Sequence, residues 1–453
     1  MGGAVSIAHA DVIVVADDDA IGLTGAYAAR YTPFMPAPFN LSRPVVTRAH
    51  EKLIKANWAA VCQGTPAFDA TKHLTPTKFF FTTFYQTLFT TEPTLRSLFR
   101  SGMTVQGKAL TGVMHTLAML VNSNTLVDSA LAIAERHLAY GVSKDHYGVF
   151  GTALLATLEA VSGSQWSTAV HEAYLTAYAL VFYIMMPVLL TGDALPIPES
   201  IPATIMKSVA ISHATKRISL AFDFPLRFHP GDAVWLGFTT SQGYVRRHFT
   251  ITTISIQSTT AIDICVADVG GDASQWLCAQ VPGAVVDLFW VESDLRFEID
   301  APDVLPAHVV FVGHGIGCIP FITMLEGLYT IRDVWKGSVV SLQCAASIED
   351  VQALNAGVPS TGEPITWDTS TIYYAATVTA FKLKDIAPNL ASATLFVCGP
   401  DEFVTTTLAA WATAGGAKNR MNVFSFDNNK PFPLGAASLK AIRRANEASA
   451  TNT

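Results

Sequence analysis

The stretch HVVFVGHGIGCIPFITMLEGLY, residues His308–Tyr329, carries the clearest fold signal in the chain. An apolar run, His308–Val312, leads directly into the glycine-rich loop Gly313–Pro320 and then into an apolar helical stretch. A strand, a glycine loop and a helix in this order are what a dinucleotide pyrophosphate requires, because the helix N-terminus attracts an anion. The C-terminal third is therefore predicted to be a doubly wound α/β domain that binds a dinucleotide.

The same α/β pattern continues toward the C-terminus. Apolar strand-like runs alternate with helical stretches, in the order Phe321–Tyr329, Val339–Cys344, Leu395–Cys398 and Glu402–Ala412. Such alternation is typical of a parallel sheet covered by helices. We assign residues 304–436 to this domain and residues 437–453 to a polar tail.

Upstream of this domain the pattern changes to short β-rich runs separated by Gly and Pro. These runs are Ile205–Ile211, Ile218–Phe224, Ala233–Phe238, Ile262–Ala267 and Val285–Val291. Closely spaced strands with turn residues between them are typical of an antiparallel barrel. Residues 203–300 are therefore predicted to form an antiparallel β-barrel domain.

The first part of the chain is helical. Leu110, Met114, Leu117 and Val121 follow helical spacing, and a proline-containing linker over residues 191–202 ends this region. Residues 45–192 are predicted to form an all-α domain. Residues 1–44, rich in Ala, Asp and Pro, are predicted to be a flexible N-terminal extension.

Bulk composition excludes several classes of protein. The 453 residues suggest about three domains, and half of them are apolar, as in a well-packed globular chain. A net charge of -7 without a basic block argues against nucleic-acid binding. The six cysteines form no C-x-x-C pair, which argues against zinc sites and a disulfide framework and favours a cytoplasmic setting. We expect a monomer.

Stable membrane insertion is not expected. The longest apolar run, Ala179–Leu190, is shorter than the roughly 20 residues that span a bilayer. The N-terminus does satisfy the rule for N-myristoylation, with Gly2 as acceptor and Ser6 at the favoured position. One acyl chain without a polybasic patch would anchor the protein only weakly and reversibly.

His137 is the candidate metal ligand of the helical region. It follows Ile133 by four residues and Ala130 by seven, so it lies on an apolar helix face. A lone histidine in such a position is more often a core residue than a ligand, although imidazole is the common proximal ligand of haem iron. The residues around it decide between these two interpretations.

Several segments of the helical region together resemble the globin domain of flavohaemoglobins. They are Phe84–Phe89, Glu92-Pro93, Leu98-Phe99, Gln106–Leu110, Arg136-His137, Gly141-Val142 and Tyr147. The resemblance implies a haem b globin in which His137 is the iron ligand and Tyr147 its proximal partner. It also implies that Tyr85 and Gln106 are distal hydrogen-bonding groups and that Phe99 and Leu110 pack the haem pocket. Alone, Tyr85 would be interpreted as a half-buried core residue and Gln106 as an exposed one.

The β-rich region resembles the FAD domain of the ferredoxin-reductase superfamily. Its signature is Arg247-His248-Phe249-Thr250, and alternation along a strand puts Arg247 and Phe249 on one face. The resemblance implies that Arg247 neutralises the FAD pyrophosphate, Phe249 stacks on the isoalloxazine and Thr250 bonds flavin N5. The turn Pro230-Gly231-Asp232 and the segment Gly270–Leu277 also match this superfamily. In the latter, Gly270 and Gly271 would admit the phosphates and Ser274 would donate to them.

The α/β region resembles the NAD(P)H domain of the same reductases. The matching positions are Gly313, Gly315, Gly317, Pro320, Cys398, Gly399, Pro400 and the terminal aromatic Phe426. Alone, Cys398 would be interpreted as a small buried hydrophobe. The segment Ala346–Asp350 contains acids and no arginine, which favours an unphosphorylated ribose and hence NADH over NADPH.

The resemblance implies electron transfer from NAD(P)H through FAD to haem, where haem-bound dioxygen oxidises nitric oxide to nitrate. Three positions depart from the family pattern. Leu189 stands where a helix-terminal glutamate completes the proximal set, Ile319 replaces a threonine before the proline, and Phe424 replaces a glutamate near the flavin. Two alternatives stay open for this reason: a flavin-dependent haem or ferric reductase without nitric oxide turnover, and a non-enzymatic haem gas sensor.

Overall fold

The computed structural model describes residues 9–15, 20–69, 75–192, 197–387 and 389–426. The acylation position Gly2 and the polar tail over residues 437–453 lie outside these ranges. The chain divides into two compact units: the first comprises Met1–Leu98 and Gln106–Pro198, and the second comprises Phe99–Val105 and Glu199–Thr453. The barrel and the α/β region, predicted as separate domains, are therefore parts of one unit.

The helical region contains, in chain order, α1 His9–Val12, α2 Gly25–Tyr31, α3 Arg48–Gln63, α4 Pro76–Thr91, α5 Met103–Leu117, α6 Leu126–Ala139, α7 Lys144–Ser162 and α8 Thr168–Leu189. Side-chain caps fix several helix starts: Thr47 begins α3 and Ser167 begins α8, each accepting a backbone N–H. Helix α8 is the central helix and packs against α3, α6 and α7. The all-α prediction for this region is confirmed.

The N-terminal extension differs from its prediction. Strands β1 Ile13–Val15, β2 Ile21–Leu23 and β3 Val45–Val46 form a small antiparallel sheet. Leu23 and Phe39 are fully buried in the first unit. The prolines that suggested a flexible chain instead separate short elements, and the apolar residues between them provide enough burial to hold the segment on the globin helices.

One helix within the described ranges is long and apolar enough to cross a membrane. It is α8, and 72% of its most apolar window is buried inside the fold.

The second unit begins with a β-barrel. Its strands are β4 Ile201–Ala210, β5 Thr215–Leu226, β6 Ala233–Thr240, β7 Gly243–Thr250, β8 Thr259–Ala267 and β9 Val285–Glu292, with helix α9 Asp272–Ala279 after β8. Across the described residues these strands pair antiparallel in the order β7-β6-β9-β4-β5-β8. A bridge between Ile251 and Ile264 joins the chain after β7 to β8, which draws the two edges together. The predicted antiparallel barrel is confirmed.

A parallel sheet follows, with strands β10 His308–His314, β11 Ser338–Cys344, β12 Ser370–Ala375, β13 Thr394–Gly399 and β14 Met421–Ser425, and helices α10 Ile319–Thr330, α11 Ile348–Gly357, α12 Ala380–Ile386 and α13 Asp401–Ala414. The strand order is β12-β11-β10-β13-β14, all parallel. The order reverses between β10 and β13, so the carboxyl ends of these two strands form the crevice where doubly wound sheets bind ligands. The doubly wound prediction is confirmed.

Candidate functional site

The proximal residue His137 lies in the last turn of α6. The buried face of this helix is formed by Val127, Ala130 and Ala134, while Ile133 and His137, one turn apart, are exposed on a neighbouring strip. Although its surface is accessible, the surrounding protein desolvates the imidazole and, together with Arg136, lowers the pKa of His137. The ring is therefore neutral at neutral pH, as a metal ligand must be.

The structure brings His137 and Tyr147 together. The Tyr147 Oη atom, at the start of α7, lies 2.6 Å from His137 Nδ1. Burial raises the pKa of the Tyr147 phenol, so the hydroxyl stays protonated. Because Nδ1 is engaged by the phenol, Nε2 is the nitrogen left for iron, and the residues fit a haem held from this side.

Helix α8 contributes apolar side chains near this pair. The Phe182 ring of α8 stacks on the Tyr147 ring at a centroid distance of 5.6 Å, and Leu189 is buried at the end of the same helix. The acidic residue of α8 is Glu172, near its start. Helix α8 therefore supplies no carboxylate to the His137–Tyr147 pair, in line with the departure at Leu189.

The distal residues come from α4 and α5. Tyr85 is buried on α4 and stacks on the Phe89 ring at 5.7 Å, and burial raises the pKa of Tyr85, which keeps it a hydrogen-bond donor. Gln106 is half-buried, one turn before the buried Leu110 of α5. Next to it, a Cβ on Gly107 would lie 2.5 Å from the Phe81 ring, so α4 and α5 approach closely here.

Phe99 is the distal candidate with a different position. It belongs to the seven-residue segment that groups with the second unit. In this segment the Gly102 N–H donates to the Arg227 carbonyl at 2.9 Å and the Val291 N–H donates to the Arg100 carbonyl at 2.7 Å. Its predicted role in the haem pocket stays a prediction.

A cleft of about 1140 Å³ lies in the second unit. It is lined by most of the predicted flavin and nucleotide residues, namely Arg247, Phe249, Thr250, Gly270, Gly271, Ser274, Pro320, Cys398 and Phe426, and by the two departures Ile319 and Phe424. A mostly apolar cleft with a few convergent polar groups is what a large cofactor requires. The structure thus brings the β7 motif, the α9 loop and the carboxyl end of β13 to one site.

The two neighbouring arginines of β7 differ in their partners. Arg247 is exposed in the cleft. Arg246 also lines the cleft, but its guanidinium pairs with Glu199 at 3.0 Å and lies 4.4 Å from the centre of the Phe289 ring. Arg247 is therefore the guanidinium that can reach a pyrophosphate in the cleft.

The loop at the start of α9 has room for phosphate. Gly270 has a positive φ of 79° and open space where a Cβ would be. The Ser274 hydroxyl donates to the Gly271 carbonyl at 2.9 Å, so it would have to turn to donate to a ligand. Asp272, which sequence reasoning did not single out, also lines the cleft at the first helical position and accepts from Ser241 at 3.0 Å.

The glycine loop after β10 is shaped by packing against its own fold. A Cβ on Gly313 would lie 2.9 Å from Cys318, and one on Gly317 would lie 2.6 Å from the Cys398 carbonyl oxygen. Gly399 likewise lacks space beside Phe403 and His314. Gly313, Gly317 and Gly399 are thus required by the packing of the loop and strand end, whereas Gly315 has a positive φ of 54° with open space beside it and Pro400 caps α13. Ile319 and Pro320 line the cleft.

An aromatic wall was not anticipated from the sequence. The His248 ring lies 5.0 Å from Trp235 and 5.1 Å, edge to face, from Phe424. All three line the cleft, and Phe426 is bonded through its N–H to the Gly399 carbonyl at 3.1 Å. The place of His248 in the motif Arg247-His248-Phe249-Thr250 could have indicated that it lies near the cleft. Nothing in the sequence indicated that Trp235 and Phe424 would flank it.

Comparisons with known proteins agree with this architecture. The globin family pattern matches residues 82–185. A flavohemoprotein of Burkholderia sp. (strain TH2) is 23% identical over 56% of this chain and 67% of its own length. A flavohemoprotein of Vibrio cholerae serotype O1 is 25% identical over 30% of this chain and 32% of its own length.

Among solved structures, a flavohemoglobin from Malassezia yamatoensis with bound FAD and heme matches 83% of this chain and 98% of its own, at 17% identity and a TM-score of 0.41. The FAD/NAD-binding domain of a nitric oxide dioxygenase from Vibrio cholerae O1 biovar El Tor matches 51% of this chain and 99% of its own, at 16% identity and a TM-score of 0.40.

The fold and the two sites define a globin joined to a ferredoxin-reductase-type module, an oxidoreductase architecture. The chain therefore contains a globin domain over residues 82–185 and is similar to flavohemoproteins, at 23% identity over 56% of its length in one case.

Proposed function

We propose that this chain is an NAD(P)H-dependent nitric oxide dioxygenase that uses haem b and FAD. In the overall reaction one nitric oxide, one dioxygen and one electron give one nitrate, and one NAD(P)H supplies the electrons for two such events. When bound, FAD accepts a hydride and releases single electrons, and haem provides the one-electron iron chemistry.

The observation that carries the proposal is the 2.6 Å contact between His137 Nδ1 and Tyr147 Oη in a matched globin. An imidazole that ligates iron through Nε2 carries its remaining proton on Nδ1 and almost always donates it to a hydrogen-bond acceptor. His137 would hold the iron through Nε2, and the Tyr147 oxygen, accepting from Nδ1–H, would fix the tautomer and orientation of the ring.

On the opposite side, two polar groups bind and orient the gas substrates. Tyr85 is the principal donor because its raised pKa keeps the hydroxyl protonated in an apolar environment. Gln106 provides a second donor from α5. Leu110 is proposed to exclude water, which would preserve the strength of these hydrogen bonds.

In the reductase module Arg247 would neutralise the FAD pyrophosphate, Phe249 would pack on the isoalloxazine and Thr250 would hydrogen-bond the flavin. The exposure of Arg247 in the cleft supports this assignment. NADH is the favoured reductant, since Glu349 and Asp350 begin α11 directly after the carboxyl end of β11, where an acid suits a free ribose hydroxyl.

NADH oxidation under air, measured with and without nitric oxide, tests the proposal. We expect strong stimulation by nitric oxide, and loss of this stimulation in His137→Ala while FAD stays bound. Equal rates with and without nitric oxide would instead identify a haem or ferric reductase, and absence of turnover in both cases would identify a gas sensor.

A further inference from the structure

Helix α7 carries two interior glycines on the side that faces the N-terminal segment, residues 20–46. Glycine is unfavourable inside a helix, so its presence there calls for a packing reason. A Cβ on Gly148 would lie 3.1 Å from Pro36 Cγ, and one on Gly151 would lie 2.6 Å from Phe39 Cζ. The two glycines thus form a groove that receives Pro36 and Phe39.

Phe39 is fully buried and contacts both residues that hold Tyr147 in place. Its ring lies 5.0 Å from the Tyr178 ring and 6.2 Å from the Phe182 ring. Tyr178 Oη donates to the Tyr147 carbonyl at 2.7 Å, and the Phe182 ring stacks on the Tyr147 ring at an angle of 28°. One ring of the N-terminal segment therefore supports the backbone and the side chain of Tyr147 together.

The same segment is fastened to α8 next to Phe182. Tyr27 Oη donates to the carbonyls of Tyr183 and Ile184 at 3.3 and 3.2 Å. In return, Tyr183 Oη donates to the Leu41 carbonyl at 2.6 Å. These bonds anchor the segment to α8 at Tyr27 and at Leu41, on either side of Phe39 in sequence, and so restrict movement of Phe39 away from Phe182.

We propose that the N-terminal segment is a positioning element for the haem ligand, with Phe39 and Phe182 as its positioning residues. Helix α8 brings no carboxylate to the pair, so the location of the Tyr147 hydroxyl depends on how firmly its ring is packed. A hydrogen bond weakens steeply once its geometry departs from the ideal. The inference rests on the proposed function only in taking His137 as the iron ligand.

Phe39→Leu and Phe39→Ala, made in the full chain, test this inference. The readouts are the iron–histidine stretching band of the ferrous protein and the rate of haem transfer to an excess of a haem-free globin. We expect Phe39→Ala to lower and broaden the band and to speed haem loss by less than the about twofold to tenfold effect expected for removal of the Tyr147 hydroxyl itself. Phe39→Leu should be intermediate, because it keeps most of the volume but not the ring.

Phe80→Ala is the matched control. Phe80 is also fully buried in the first unit, and its ring packs edge to face on Trp58 at 4.9 Å. It should lower thermal stability as much as Phe39→Ala while leaving the iron–histidine band in place. An unchanged band in Phe39→Ala, or an equal change in Phe80→Ala, overturns the inference.

A second pair of variants reaches the same contact from the other side, should Phe39→Ala not fold. Gly151→Ala inserts a methyl group where Phe39 and Tyr178 lie, whereas Gly112→Ala on α5 meets nothing within 4 Å. Gly151→Ala should change the band and Gly112→Ala should not; identical spectra for the two variants overturn the inference.

Absence of nitric oxide turnover in a protein that passes these tests would refute the proposed function alone. A native haem spectrum in His137→Ala would refute both.

Discussion

Replacing Tyr147 by phenylalanine removes one hydroxyl and keeps the ring that stacks on Phe182. The lost contact is the 2.6 Å bond to His137 Nδ1. Loss of an outer partner of a metal ligand costs about 10–100-fold in affinity when that partner is itself held by further hydrogen bonds. Here the phenol has no carboxylate from α8 behind it, so a neutral hydrogen bond of about 0.5–1.5 kcal/mol is the better measure. We expect haem affinity to fall by about twofold to tenfold.

The assay is haem transfer from the ferric protein to an excess of a haem-free globin, followed by the Soret band. Tyr174→Phe is the matched control, since its buried hydroxyl donates to the Ile54 carbonyl at 3.3 Å and to Asn57 Oδ1 at 3.1 Å, away from His137. A transfer rate in Tyr147→Phe equal to that of Tyr174→Phe refutes the role of the phenol. A loss near 100-fold would mean that another charged group supports it.

Four further outcomes are expected in the two units. Arg247→Ala should weaken FAD binding by about 10–150-fold, because a charge-assisted bond contributes about 1.5–3 kcal/mol, whereas Arg332→Ala on the exposed surface should leave flavin fluorescence titrations unchanged. Burial raises the pKa of Asp232 to about 7, so its stabilising contribution is complete below about pH 4 and is lost as pH rises to 7. The free energy of unfolding of Asp232→Asn, relative to that of the native chain, should therefore be higher at pH 8 than at pH 4 by up to about 4 kcal/mol. Flavin release on thermal unfolding measures this difference, and parallel pH profiles for the two proteins would contradict it. Ile319→Thr should tighten NADH binding by several-fold to about tenfold in anaerobic flavin reduction, and no change in binding or rate would mean that another group already makes that contact. Tyr85→Phe should speed dioxygen dissociation and autoxidation, and unchanged kinetics would show that the distal alignment is wrong.

The fold was predictable from the sequence because each region has a strong period or a strong loop signal. Strand β10, the glycine-rich loop and helix α10 form as expected, and so do the antiparallel strands β4 to β9 with Gly and Pro between them. The N-terminal segment was predicted wrongly because prolines and alanines dominate its composition. Its few aromatic residues, Phe39 above all, gain their burial from α7 and α8, which is a tertiary effect that local pattern does not contain.

The site was predictable to the extent that short motifs fix it. Arg247, Phe249 and Thr250 follow from four consecutive residues, and the structure brings them to one cleft with Cys398 and Phe426. Trp235 and His248 are cross-strand partners in the β6–β7 hairpin, whereas the contact of His248 with Phe424 joins β7 to β14, which is distant in sequence. Sequence spacing cannot predict such a meeting, because register and strand order decide it.

The glycines after β10 show a related limit. The sequence motif suggests that every glycine faces the dinucleotide, but Gly313 and Gly317 are needed because Cys318 and the Cys398 carbonyl lie too close for a side chain. The packing of the loop alone explains why these two positions are glycine, whether or not they also contact a ligand. Substitution there tests the fold of the loop before it tests nucleotide binding.

We propose that this protein converts nitric oxide to nitrate with dioxygen as the oxidant. Turnover with NADH, nitric oxide and ¹⁸O-labelled dioxygen, analysed by mass spectrometry of the nitrate, tests this most directly. The account predicts that both labelled atoms of one dioxygen appear in each nitrate, that one NADH is consumed for every two nitrates, and that His137→Ala abolishes the product. Unlabelled nitrate, or NADH consumption without nitrate, would contradict it.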